Sequence, residues 1–448
     1  IFLSLLKLPP VFSTDIQPWD EGMYAARVLS IEKFGDFLDQ SEHSVGKFYS
    51  STHPPLLIWA GYFVSKVTGL NAVTLKLIVY FFAVLCLLYL MKTGELLGSI
   101  EGGFLAALLF SSNIIFNIFS KRFQFDIPYT FFVILSLYFF IKYLDVKTKK
   151  YLLFCGIAAG LCLLSKLLVG MLIPMVLFAA YFVIRKESGY SFKDFVLITC
   201  IALAISLPWY FYLIYNSGYD ALKYIVDFHL YQRAAVGIEQ NAKGTGYFYF
   251  INYFLTIIPF GFLAFFSLYH FIANYKSTNW KIKLILCWFT VAFFIVTMFK
   301  TKLESYSFMF LPAGCLMISL VIFRLKQASK KEKMLILTLF VFNLLWYLTE
   351  YYRTNLKQFL SEGIGHKLEL AGIILGVFVI SFLIIKFISN RIYLPSFFTS
   401  LIAVVFIISN FNFLINIPYW ENGYKISGIK KIIDAQKEKG IVYVASNY

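Results

Sequence analysis

Apolar residues fill long, nearly uncharged windows, and polar residues are confined to the gaps between them. A membrane-crossing helix needs about 20 mostly apolar residues. Windows of that kind lie near 72–92, 102–120, 127–144, 151–165, 168–185, 193–215, 247–274, 281–299, 307–324, 334–352, 368–388 and 393–416. IFLSLLKLPPVF (1–12) reads as the tail of a first span, so the pattern predicts an all-α polytopic membrane protein of about thirteen spans over 1–416. A long polar stretch, 13–70, interrupts the pattern early. Within it, PPLLIWAGYFVSKVTG (54–69) predicts an interfacial or re-entrant helix, because it opens on two prolines and is too short to span. The more polar residues 417–448 predict the start of a small extracytoplasmic αβ domain. The chain begins with Ile and ends in mid-pattern at IVYVASNY, so the expectation is a fragment, cut within its first span and early in that last domain.

Composition agrees: 60% of residues are hydrophobic, 20% aromatic and 14% charged, against roughly 45–50% apolar and about 25% charged in soluble domains. The net charge of +16 would suggest nucleic acid in a soluble protein. Here the cations lie between apolar spans, so the positive-inside rule and anionic membrane lipids account for them, and no nucleic-acid partner is expected. The dense clusters are KTKK (147–150), Arg185 and Lys186 with Lys193, Lys276 to Lys283, RLKQASKKEK (324–333), and Lys386 with Arg391. They fall at every second loop, which makes those loops cytoplasmic. Segments 13–70, 120–127, Ser165–Lys166, 216–246, 300–306 and 353–367 then share the outer face with the C-terminal segment. The six cysteines all sit in apolar runs without a CxxC pair, and read as small buried hydrophobes rather than disulfides or zinc ligands.

The chemistry-bearing residues gather on that outer face. In WDEGMYAARVLS (19–30), Asp20 and Glu21 open a predicted helix, with Asp20, Tyr24 and Arg27 on one side of it. Solvated acids favoured by the helix dipole explain the pair equally well. THPPLL (52–57) places His53 before a double proline. SKRFQFDIPYT (120–130) sets Arg122 and Asp126 at the mouth of a span, either as a functional carboxylate or as an i, i+4 ion pair. LLSKLLVG (163–170) carries Lys166 between two apolar helices, where snorkelling is the plainer explanation. DFHLYQRAAVG (227–237) spaces His229 and Arg233 to share a helical face, and FKTKLESYSFMFLP (299–312) holds Lys300, Lys302, Glu304 and Tyr306 before a span. Each is weak alone, and a polar loop or turn would explain the last two. Together they put carboxylates and cations at one aqueous–lipid boundary. Cations there suit a lipid phosphate, and a carboxylate can take a proton from an attacking hydroxyl.

These motifs, in this order, resemble the GT-C class of membrane glycosyltransferases, in the branch of the protein O-mannosyltransferases and the lipid A aminoarabinose transferase. WDEGMYA is similar to the acidic pair of the family's first external loop, HPPLL to its [H/K]PPL segment, and RFQFDIP to its R-x-x-x-D-x-P site. SKLLVG matches a TK/SK-G ending only in part, with Leu167 in place of the Gly. His229 and Arg233 match an H-x-x-x-R loop, and Lys300, Lys302, Leu303, Tyr306 and Pro312 match a K-x-K-L-x-x-Y segment ending in Pro. The resemblance runs from about 15 to 312, and the later spans match only in topology.

The resemblance implies a GT-C bundle and an inverting hexosyl- or pentosyltransferase of the bacterial cytoplasmic membrane. Its donor would be a polyprenyl-phosphate-linked sugar. Its acceptor would be a hydroxyl of lipid A, another glycan or a protein Ser/Thr on the outer face. By the same resemblance Asp20 is the catalytic base, Glu21 helps hold donor or acceptor, and Asp126 completes the acidic site. His53, Arg122, Lys166, Arg233, Lys302 and Tyr306 are assigned to the donor phosphate and lipid. Some relatives use a divalent metal ion and others do not; His229 is the candidate ligand, and no cofactor is assigned. Two other classes compete. A transporter or flippase predicts mid-span charges and an inverted repeat, whereas these spans are nearly charge-free. An O-antigen polymerase or ligase predicts its main polar loop late in the chain, whereas this one is early.

Overall fold

The computed structural model describes residues 7–13, 15–17, 19–237, 247–249, 260–324, 329, 332–341 and 398–407. Four of its helices are long and apolar enough to cross a membrane: Ala72–Leu96, Asp126–Val146, Phe192–Val236 and Trp280–Met298. The count of about thirteen spans is therefore not reached among the described residues. Other expected spans are shorter helices: Ile100–Ser112, Lys149–Leu163, Leu172–Ser188, Gly261–Ala273 and Leu311–Arg324. The reason is local at 102–120. Asn113 turns out of the helix and its side-chain oxygen accepts the N–H groups of Ile115 and Phe116, so a second helix, Ile114–Phe119, starts there. The expected span 368–388 and the 417–448 domain lie outside the described residues.

The short 54–69 helix is present as Leu56–Thr68, 13 residues long and closed by Gly69 at φ 82°. Both faces of the central Asp126–Val146 helix are buried, and it packs against Ala72–Leu96 and Lys149–Leu163. Lys149–Leu163 lies close along Phe192–Lys223 because Gly156 and Gly160 face it. A Cβ at either position would come within 2.8 Å of Ile201 or Ile205. In lipid, where apolar burial gives helices no preference for one another, such small-residue contacts let backbones approach and pack. Of the cysteines, Cys200 is exposed on that helix and Cys287 half-buried, correcting the expectation that all six are buried; none forms a disulfide.

The early polar stretch forms a cap over one end of the bundle. Asp20–Phe34 is its main helix, and Arg27 organises the rest. Its guanidinium is fully buried and donates to Gln40 Oε1 (2.8 and 3.1 Å) and to the carbonyls of Ser50 and His53 (both 2.9 Å). Arg27 is thus an internal anchor of the cap. Trp59 and Trp209 pin the same loop by donating to the carbonyls of Phe37 (2.8 Å) and Leu38 (2.9 Å). Phe192–Lys223 kinks at Gly218 (φ 65°, ψ −149°) and runs into a π-helix, Tyr224–Val236, that leads back under the cap.

Candidate active site

Between the cap and the bundle lies a cleft of about 710 Å³. Every site residue expected from the sequence lines it except Glu21: Asp20, His53, Arg122, Asp126, Lys166, His229, Arg233, Lys302 and Tyr306 are all present. Six separate segments deliver them. The π-helix is bonded i to i+5 and keeps His229 and Arg233 directed to the same cleft, as the H-x-x-x-R spacing anticipates. π-Turns of this kind recur at functional sites. Two backbone bonds, Lys300 N–H to Ala234 (3.0 Å) and Thr301 N–H to Arg233 (3.1 Å), tie the 300–306 loop to that helix. A third, Leu56 N–H to Leu164 (3.2 Å), ties the HPP segment to the turn carrying Lys166.

Asp126 opens its helix, 7% exposed, and pairs with Lys166 at 2.6 Å rather than with Arg122. The Lys166 ammonium also lies 5.4 Å above the Tyr306 ring. Arg233 donates to the Tyr306 hydroxyl at 3.3 Å, while its Nε is buried without a partner. Arg122 rests on Phe119, 5.9 Å from the ring, and its Nε is likewise buried without a partner. Buried donors are normally satisfied. Guanidinium groups with unpartnered donors beside one cleft have the chemistry to bind an anion. Lys302 faces the other way: its ammonium donates to the carbonyls of Val296, Thr297 and Phe299 (3.2, 2.7 and 2.5 Å), capping the Trp280–Met298 helix. Cations at a helix C-terminus are favoured by its dipole.

On the opposite wall His53 meets His229 edge-on, ring centroids 4.6 Å apart, and His229 Nε2 lies 2.8 Å from Thr52 Oγ1. Burial, with His229, Arg233, Arg27 and Lys166 adding to it, holds the His53 pKa well below the usual imidazole range. His53 is therefore neutral at pH 7, and can serve a phosphate by hydrogen bonding but not by charge. Asp20 stands at the cleft edge behind Trp19, whose backbone is held at φ 68°. A non-glycine residue there costs on the order of 1–3 kcal/mol, and such positions cluster at functional sites. Glu21 points away from the cleft and is fully buried. Thr52, Tyr49, Gln124 and Thr301 also line the cleft and were not singled out from the sequence. Thr52, Gln124 and Thr301 lie inside quoted motifs, so their neighbours were the available signal; Tyr49 carries none. For a divalent ion the donor set does not fit. His229 is engaged with Thr52, and no group of three His, Cys, Asp or Glu among the described residues is placed to hold a metal.

A helical membrane bundle capped by an early loop, with its acids and cations in one cleft beneath, is similar in arrangement to the GT-C glycosyltransferases, and comparison with known proteins points the same way. Residues 52–212 match the family model for dolichyl-phosphate-mannose-protein mannosyltransferase. The fold is similar to that of ArnT from Cupriavidus metallidurans bound to undecaprenyl phosphate, with a TM-score of 0.66 and 16% identity over 91% of this chain and 74% of that one. It is also similar to the oligosaccharyltransferase AglB from Archaeoglobus fulgidus, in complex with an inhibitory peptide and a dolichol-phosphate (TM-score 0.53, 13% identity, 92% and 55% covered). An uncharacterized protein of Aquifex aeolicus (strain VF5) is 26% identical over 326 residues, 70% of this chain and 60% of that protein. The chain thus spans three fifths of the length of that curated relative. Its fold is thus ArnT-like, and the match to the mannosyltransferase family model is confined to 52–212.

Proposed function

We propose that the protein transfers a sugar, with inversion, from a polyprenyl-phosphate donor to an acceptor hydroxyl on the outer face of a bacterial cytoplasmic membrane. The observation that carries this reading is the pair of unpartnered guanidinium donors, on Arg122 and Arg233, in the same cleft as Asp20 and the Asp126–Lys166 pair. Undecaprenyl phosphate in the ArnT structure and dolichol-phosphate in the AglB structure support a lipid phosphate as the ligand class. The basic loops at the other end of the bundle support the outer face.

In this scheme Asp20 accepts the proton of the acceptor hydroxyl as its oxygen bonds to the anomeric carbon. The bond from that carbon to the phosphate oxygen breaks on the opposite face, and its electron pair stays on the phosphate. Arg122, Arg233 and Lys166 hold the departing anion, with His53 donating as a neutral imidazole. A phosphate leaves as a stable anion, so no general acid is needed. The acceptor is a hydroxyl of lipid A, another glycan or a protein Ser/Thr. Asp20→Asn is expected to lower transfer from a labelled polyprenyl-phosphate sugar in membranes at least about 100-fold, while undecaprenyl phosphate still binds. Full transfer by that variant would remove Asp20 as the base. Wild-type protein that never consumes such a donor would remove the donor class.

A further inference from the structure

We propose that Glu21 is a positioning residue: it fixes the Arg122–Asp126 loop to the helix bearing Asp20 and touches no substrate. This builds on the transfer reading above. Glu21 follows Asp20 directly, yet it is 0% exposed and does not line the cleft. Its Oε1 accepts the Phe123 N–H at 2.7 Å, and its Oε2 accepts the Gln17 N–H at 2.7 Å. One side chain therefore joins the approach to the cap helix, that helix's first turn, and the loop on the facing wall. Phe123 is next to Arg122 and three residues before Asp126, so both functional side chains of that loop take their position from this bond.

The chemistry demands a carboxylate. Two amide N–H groups from different segments converge on it, and only an ionised acid presents two acceptor oxygens and no donor. A glutamine would keep one bond and turn its NH₂ group against the other amide. Charge makes both bonds stronger than neutral ones. The charged groups facing Glu21 are Lys76 on the Ala72–Leu96 helix and Arg122 on the loop, with Asp20 beside it in sequence. Burial raises the Glu21 pKa above the usual carboxylate range, while Lys76, the two amides and Arg122 oppose the rise. Protonation would turn one acceptor oxygen into a hydroxyl. The clamp is therefore complete where Glu21 is ionised and loosens as pH falls through its raised pKa.

The test uses the full chain in detergent, wild type against Glu21→Gln, with two readouts: amide hydrogen exchange over 120–126 and binding of undecaprenyl phosphate. At about pH 8 the variant is expected to exchange about tenfold faster over 120–126 and to bind undecaprenyl phosphate about tenfold more weakly. Both differences should shrink as pH falls through the raised Glu21 pKa, where the wild-type carboxylate takes up a proton and the glutamine does not titrate. The lipid phosphate's own ionisation is common to both proteins and cancels in the ratio. A general loss of stability would instead give a ratio independent of pH, which overturns the proposal, as does unchanged exchange over 120–126. Faster exchange in the variant, with no undecaprenyl phosphate binding by wild type, would overturn the donor reading and leave the clamp standing. Should the variant not fold, wild type alone decides. Exchange over 120–126, corrected for its intrinsic pH dependence, must rise relative to the Lys149–Leu163 helix as pH falls; no rise overturns the clamp.

Discussion

The two ends of the bundle carry charge in different ways. At the end away from the cleft, Lys147, Lys281 and Lys283 are matched to partners. Lys281 pairs with Asp145 at 2.7 Å and donates to the Leu96 carbonyl at 3.0 Å. Lys283 pairs with Glu187, and Lys147 donates to the carbonyls of Ser188 (2.7 Å) and Gly189 (3.2 Å). At the cleft end Arg122 and Arg233 keep buried Nε donors without partners, and Gln124 Oε1 and His53 Nδ1 are in the same state. Lys166, paired with Asp126, and Lys302, bonded to three backbone carbonyls, are matched there as the far-end cations are. The contrast separates cations matched within the fold from guanidinium donors that the fold leaves without a partner. A paired surface cation is satisfied by the fold, whereas a buried donor without a partner is tolerated where something else completes it.

Substitutions can break that contrast, and the largest effect is expected at Lys166. Lys166→Ala leaves Asp126 buried and unpaired, at a cost of about 3 kcal/mol, read as a lower thermal-unfolding midpoint, together with weaker undecaprenyl phosphate binding. Arg233→Lys keeps the charge but loses the planar fork. It should weaken undecaprenyl phosphate binding about tenfold with the unfolding midpoint nearly unchanged. Asp39 tests the cap. Burial pushes its carboxyl up, but donors on Ser217, Asn216 and Ser41 outweigh this and hold its pKa below the ordinary value. Its contribution is thus complete above about pH 4 and lost as pH falls through the lowered value. Acid should release the cap near Gly218, seen as faster exchange in that region, and Asp39→Asn should show part of that release already at neutral pH. The smallest effect is expected at the far end. Lys281→Ala should cost about 0–1 kcal/mol and leave undecaprenyl phosphate binding unchanged. A large binding loss there would end the distinction between the two ends.

Much of the site was legible because each motif carries a residue type that is costly at a membrane boundary. Asp20, Asp126, Lys166 and Arg233 stood out against nearly charge-free spans, and their alternating loops put them on one face. Spacing along the chain says nothing of which partner a charge takes. Arg122 and Asp126 are four apart, yet Asp126 bonds Lys166, 40 residues on. Lys302 belongs to the K-x-K-L motif expected to bind phosphate, yet its ammonium caps a helix three to six residues behind it. Arg27 sits on the expected face of the helix and is an internal anchor of the cap.

The sequence by itself determined that this is a multi-pass helical membrane protein, which segments gather on one side, and which family it resembles. Hydrophobic length, cation alternation and short motifs are all local properties, readable without knowing what packs against what. Only the tertiary structure separated Asp20 from Glu21. The two adjacent acids differ by about 100° around a helix, and which one meets the cleft depends on where the 120–126 loop lies. That loop presents the Phe123 amide to Glu21, which leaves Asp20 at the edge of the cleft.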